Sequence, residues 1–173
     1  MELLYFACLV RLHGSDTFVV WYQDERDGFV RRPDGRLLAA DSIGSLAVAA
    51  AGMGLQLVPH DVVEYDFDRL RSWCRQPSAA GIDYSAFLNA WNFFDDLAGL
   101  HDNPGTAYAR LSRGAGRGYD KLFWGSNLPS VTPPGEWFTP SWGADELDSI
   151  RRVLEAGLGL VQGELLGRDS FTT

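Results

Sequence analysis

Two histidine-aspartate pairs, His60-Asp61 and His101-Asp102, come nearest to catalytic chemistry in residue type and spacing. Imidazole and carboxylate together bind divalent cations and activate a bound water, so these four residues, if brought together, would suit a small metal-dependent phosphohydrolase. Such a site needs further ligands from packed helices, whereas one pair follows Pro59 and the other precedes Asn103-Pro104, both loop-forming. Three histidines in the whole chain are too few to specify a metal centre. The glycine-rich stretches are no stronger. GAGRG at 114–118 lacks the Lys-Ser/Thr of a phosphate-cradling loop, and GMGLQL at 52–57 lacks the third glycine of a dinucleotide fingerprint. No GxSxG elbow or Cys-His signature is present. Cys8 and Cys74 have no metal-type spacing, and buried free thiols are expected. The residues therefore assign no catalytic group, no metal and no cofactor.

Carboxylates are the other chemistry on offer. The formal charge is −8, and between Asp61 and Asp102 eight acids face only Arg69, Arg71 and Arg75. A field of that sign repels phosphate backbones and attracts basic proteins, which disfavours nucleic acid as a direct ligand.

The elements that must position these groups follow from periodicity. LLYFACLVRL and TFVVWY read as two strands separated by HGSD, with third and fourth strands near GFVRR and RLLAA in an antiparallel meander. Asp34-Gly35 fits a tight hairpin turn. Asp41 or Ser42 caps a helix through IGSLAVAAAGM, and LQLV reads as a short strand. Beyond Pro59 the pattern turns helical. Asp66 is placed as the cap of FDRLRSWCR, which Pro77 ends, and Asp83 as the cap of a helix from Tyr84 to about Leu100. Spacing at 100° puts Tyr84, Phe87, Leu88, Trp91, Phe94 and Ala98 on one face of that helix, and Ser85, Asn89, Asn92 and Asp96 on the other. Asp95 falls on the apolar side, where a buried acid needs hydrogen-bond donors. GAGRG reads as a flexible linker and YDKLFW as a strand. A last helix starts after Ser141-Trp142 with Asp145 and Glu146 in its first turn and Gly157 as a stop; LGLVQGELL is left open between strand and helix. The whole is expected to be one α+β domain spanning residues 1–173, an N-terminal antiparallel sheet packed by helices from the middle and end of the chain. The opening MELLYFACLV is too short an apolar run to span a bilayer and has no basic residue before it, so a cytoplasmic protein is expected.

YDKLFWGSNLPSVTPPGEWFTPSW, residues 119–142, combines breakers of regular structure with large aromatics. Burial of most of those aromatics in the core is expected, with Leu122 and one of Phe123 and Trp124 packed beneath the segment, because exposing many together invites aggregation. This stretch, the acid-capped helix with RRVLEAGL and the helix with LNAWNFFDDL resemble small cytoplasmic immunity proteins of bacterial contact-dependent growth inhibition systems. The resemblance implies a non-enzyme that binds a cognate toxin domain, often a nuclease, and blocks its active site or its access to substrate. The expected partner-binding residues are Asp61, Glu64, Asp66, Asp68, Asn89, Asn92, Asp95 and Asp96, with neither nucleic acid nor membrane as a direct partner. The alternatives are the hydrolase of the paired histidines, or a small-molecule-binding regulatory domain with the aromatic segment as its lid.

Overall fold

A computed structural model of the chain describes residues 3–99 and 105–166. The fold is α+β, and the chain divides into two compact units, one of residues 1–68 with 159–173 and one of residues 69–158.

In the first unit β1 (Leu4–Leu12) and β2 (Ser15–Gln23) pair antiparallel along their full length, from Leu4 opposite Gln23 to Leu12 opposite Ser15. The two residues between them, His13 and Gly14, have φ of 55° and 71°. Positive φ at both positions is what a two-residue hairpin turn needs to match the twist of its strands. Next come β3 (Gly28–Phe29) and β4 (Ala39–Ala40), which are not successive strands of a meander. Both pair with β2, at Trp21–Tyr22 and at Phe18–Val19, so they are two pieces of one strand that leaves the sheet after Val30 and rejoins it at Leu38. The excursion is a hairpin turning at Arg32–Gly35, where Gly35 takes a φ of 82°. Pro33 has no N–H for a sheet ladder, which suits it to this projecting turn.

The helix α1 (Ile43–Gly52) is capped by Ser42, whose side chain accepts from the Ser45 N–H. Its Leu46 and Ala50 share a buried cluster with Ala7, Val20, Val30 and Leu38. Cys8, Val10 and Leu12 on the opposite face of β1 are buried as well. A strand dry on both faces reads as a continuous apolar run, as LLYFACLV does.

After Leu57, which makes only an isolated bridge to Tyr5, the chain does not turn helical at once. Val63–Asp66 forms β5, parallel to β1, and the sheet order is β3-β2-β1-β5. The sheet is therefore mixed rather than antiparallel. Four residues of alternating Val-Glu-Tyr-Asp are too short for periodicity to separate from the helix start, and the pairing with β1 decides.

The second unit is helical. The helix α2 (Phe67–Arg75) opens at the boundary, and a short 3-10 turn at Ala79–Gly81 leads to α3 (Tyr84–Ala98). Asp83 caps α3 by accepting from the Ala86 N–H, and Gly99 closes it in the left-handed conformation. Then come α4 (Ala107–Gly114), α5 (Gly116–Gly125) and α6 (Ala144–Leu166), whose residues from Gly159 on belong to the first unit. Three expectations are corrected here. GAGRG is not a linker and YDKLFW is not a strand, because both lie in the α4–α5 pair. Gly118 is the reason: a Cβ there would stand 2.4 Å from Cγ2 of Ile150, so the glycine lets α5 approach α6 closely. Gly157 is likewise no stop, since α6 runs straight through it and a Cβ at this site would stand 2.0 Å from the Phe94 ring. LGLVQGELL is thus a helical continuation. Among the described residues no helix is long and apolar enough to cross a membrane.

Candidate functional site

The expected partner-binding residues fall in both units, and several serve the fold. In the first unit Asp61 is exposed ahead of β5, and Glu64 and Asp66 are exposed on it. The Arg11 guanidinium bridges Glu64, at 2.6 Å, and Asp16, at 2.8 and 3.1 Å. Its pKa is raised chiefly by the hydrogen bond and charge of Asp16, then by Glu64. Asp68, in the first turn of α2, accepts the backbone N–H groups of His13 and Gly14 at 2.8 and 2.7 Å, fastening the β1–β2 turn. In the second unit Asn89 and Asn92 are exposed on α3, and Asn92 accepts from the Tyr119 hydroxyl at 2.9 Å. Asp96 is half-buried on the same helix. Asp95 lies toward the apolar side, as expected, and finds its donors on α4: the Tyr108 hydroxyl at 2.8 Å and the Ser112 hydroxyl at 3.2 Å. Ser112 in turn accepts from the Trp91 indole at 2.9 Å. Burial pushes the Tyr108 hydroxyl pKa up, and the neighbouring Asp95 charge adds to the shift. Asp95 and Asp68 thus spend their lone pairs inside the protein.

His60 is exposed, with its ring 5.0 Å from that of Phe6 and Nδ1 against the Asp61 carbonyl. His101 and Asp102 lie outside the described residues. Among the described residues no three His, Cys, Asp or Glu side chains converge as metal ligands. Cys8 and Cys74 are buried free thiols, each pushed up to about 12, by burial foremost.

The segment joining α5 to α6, residues 126–143, overturns the expectation of core closure. Leu122 is fully buried, but Trp124, Val131, Trp137 and Phe138 are 49%, 42%, 78% and 46% exposed. These apolar groups stand in water although the backbone carrying them is tied down at both ends. At the α5 end Asn127 is buried with a φ of 49°. Its amide nitrogen donates to the carbonyls of Gly125 and Phe138, both at 2.9 Å, and its amide oxygen accepts from the Phe138 N–H at 2.7 Å. One side chain therefore clamps together positions 11 residues apart. At the α6 end the Lys121 ammonium donates to the Ser141 carbonyl at 2.7 Å and to both Glu146 oxygens at 2.6 Å, and lies 5.3 Å from the Trp142 ring centroid. Trp142 also donates its indole N–H to the Tyr84 hydroxyl at 3.0 Å. Glu146 accepts the Gly143 N–H at 2.9 Å; that bond, then Lys121, holds its carboxyl below the ordinary range.

Between these anchors Trp124, Val131, Thr132, Pro133, Glu136, Trp137 and Phe138 line a half-open cleft of about 400 Å³. Its wall is mostly apolar, so it can bind by burying surface, with Glu136 supplying one charge. The signal in the sequence was there to be read: four prolines within residues 129–140 deny Trp137-Phe138 a regular element in which to bury alternate side chains. No protein-family pattern, curated protein or solved structure matches this chain.

Proposed function

We propose that this chain is a binding protein that neutralises a bacterial toxin domain in the cytoplasm, gripping it through the aromatic face of residues 124–138. The observation that carries the reading is the exposure of Trp124, Trp137 and Phe138 on a backbone clamped by Asn127. Tryptophan dominates the energetics of protein interfaces, and a surface ordered before binding loses less entropy when the partner arrives. The acidic balance of the chain adds attraction toward a basic partner, such as a nuclease domain whose surface otherwise holds phosphate. The resemblance to immunity proteins of contact-dependent growth inhibition supplies the class of partner. Nothing in this mechanism requires turnover, because the inhibitor works by occupying the toxin's active site or its approach.

The test is growth of bacteria expressing the toxin domain encoded beside this chain. Co-expression of the wild-type chain restores growth, and the Trp137→Ala/Phe138→Ala double variant restores it less or not at all. A toxin arrest that the wild-type chain does not relieve, or a metabolic operon in place of a toxin gene, overturns the reading.

The cleft itself favours a second reading, since about 400 Å³ with a mostly apolar wall lies within the range of small-molecule sites. In that case a small apolar ligand raises the melting temperature of the purified chain, and the same double variant abolishes the shift.

A further inference from the structure

Lys121 illustrates how this fold treats a cation between an indole and a carboxylate. Its ammonium lies 2.6 Å from both oxygens of Glu146 and 5.3 Å from the centroid of the Trp142 ring. Charge holds it on one side and the negative face of the aromatic system on the other. The cleft between residues 124 and 138 presents the same residue types again: Trp124, Trp137 and Glu136 line it together with Val131, Pro133 and Phe138. Here no lysine or arginine is among the described residues of the lining, and Glu136 is their one ionisable group. The cleft thus combines two indoles and a carboxylate, with no cation among the described residues of its lining.

We propose, resting on the binding function above, that this cleft receives an arginine side chain projecting from the toxin domain. The aliphatic stem of an arginine suits the apolar wall, and its planar guanidinium suits two indoles and a carboxylate. Arginine fits better than lysine because its cation is flat, stacks on aromatic faces and is more weakly hydrated, so less is lost when it leaves water. The negative charge of the chain selects a basic partner in the first place, and the cleft then selects one residue of it.

The experiment needs no toxin. The full chain is titrated in the millimolar range with acetyl-Ala-Arg-Ala-amide and, separately, with the same peptide carrying citrulline, which keeps the shape of arginine and removes its charge. The indole N–H resonances of all six tryptophans are followed by NMR, with Trp124 and Trp137 assigned from their Trp→Phe variants. The arginine peptide shifts Trp124 and Trp137 saturably and leaves Trp73 and Trp91 in place, the citrulline peptide binds at least fivefold more weakly, and Glu136→Gln weakens the arginine peptide by a similar factor. Equal responses to the two peptides, shifts confined to other tryptophans, or no saturable shift would each overturn the cation site. Any of these can occur while growth protection through the aromatic face persists, so failure of the cleft proposal and failure of the neutralisation reading are told apart.

Discussion

Asn127 holds the aromatic segment in shape with one amide group. Asn127→Ala removes three hydrogen bonds to backbone groups and leaves an alanine at a φ of 49°, which L-residues avoid. The expected loss is about 2 kcal/mol, read as a lower urea midpoint at unchanged slope. Asn127→Gly relieves the backbone but not the lost bonds, and should fall between the two. A second residue-level expectation concerns pH. Glu146 titrates below its ordinary value of 4.5 in the folded chain, through the Gly143 N–H first and Lys121 next. Because its folded pKa is the lower one, the contact contributes fully above about pH 4.5 and is lost as pH falls through the folded value. Glu146→Gln should therefore melt below wild type at pH 7, with the gap closing on acidification. Thermal scans from pH 7 to pH 3 check this. The exposed aspartates and glutamates were legible as surface charge in the sequence, but the role of Asp68 was not, because its donors are backbone groups 54 and 55 residues away.

At the scale of elements, two glycines within helices mark where chains of atoms meet. Alanine is favoured over glycine by about 1 kcal/mol in a free helix, yet Gly157→Ala should destabilise by about 1–3 kcal/mol, since Phe94 is fully buried and cannot yield. Calorimetry of Gly157→Ala beside Gly159→Ala, where the added Cβ meets nothing, separates packing from propensity. The same glycines explain which elements could be read in advance. β1 and β2 have long apolar patterns, α1 and α3 have apolar patterns with caps, and the positions of all four follow from the sequence closely. The α4–α5 pair does not, because GAGRG looks like a linker until Ile150 is placed above Gly118. β5 was hidden by its length, and the split third strand by its hairpin, which only the pairing with β2 reveals.

Across the whole molecule, stability and binding should respond to different residues. Trp137 is mostly in water, so Trp137→Ala should leave stability nearly unchanged, within about 0.5 kcal/mol, while weakening the proposed toxin complex at least tenfold. Loss of stability without loss of affinity would return this tryptophan to the core. Large aromatics are usually buried, which favours core closure for Trp137 on sequence alone, and only the prolines on either side, which deny it a regular element, argue the other way. Charge acts at longer range. The association rate with the proposed basic toxin domain should fall as salt rises, and Asp61→Asn with Asp66→Asn should flatten that dependence.

The clamp at Asn127 and the anchor at Lys121 bind the ends of the segment through backbone groups and through Trp142 and Glu146, while positions 131, 136, 137 and 138 stay largely outside those bonds as side chains. This exposed face can therefore diversify without refolding its support, as antibody loops do on their framework. Under the toxin-binding reading proposed above, an arms race with changing toxins would be fought at these four replaceable side chains, and a library randomised there would yield new specificities on one unaltered scaffold.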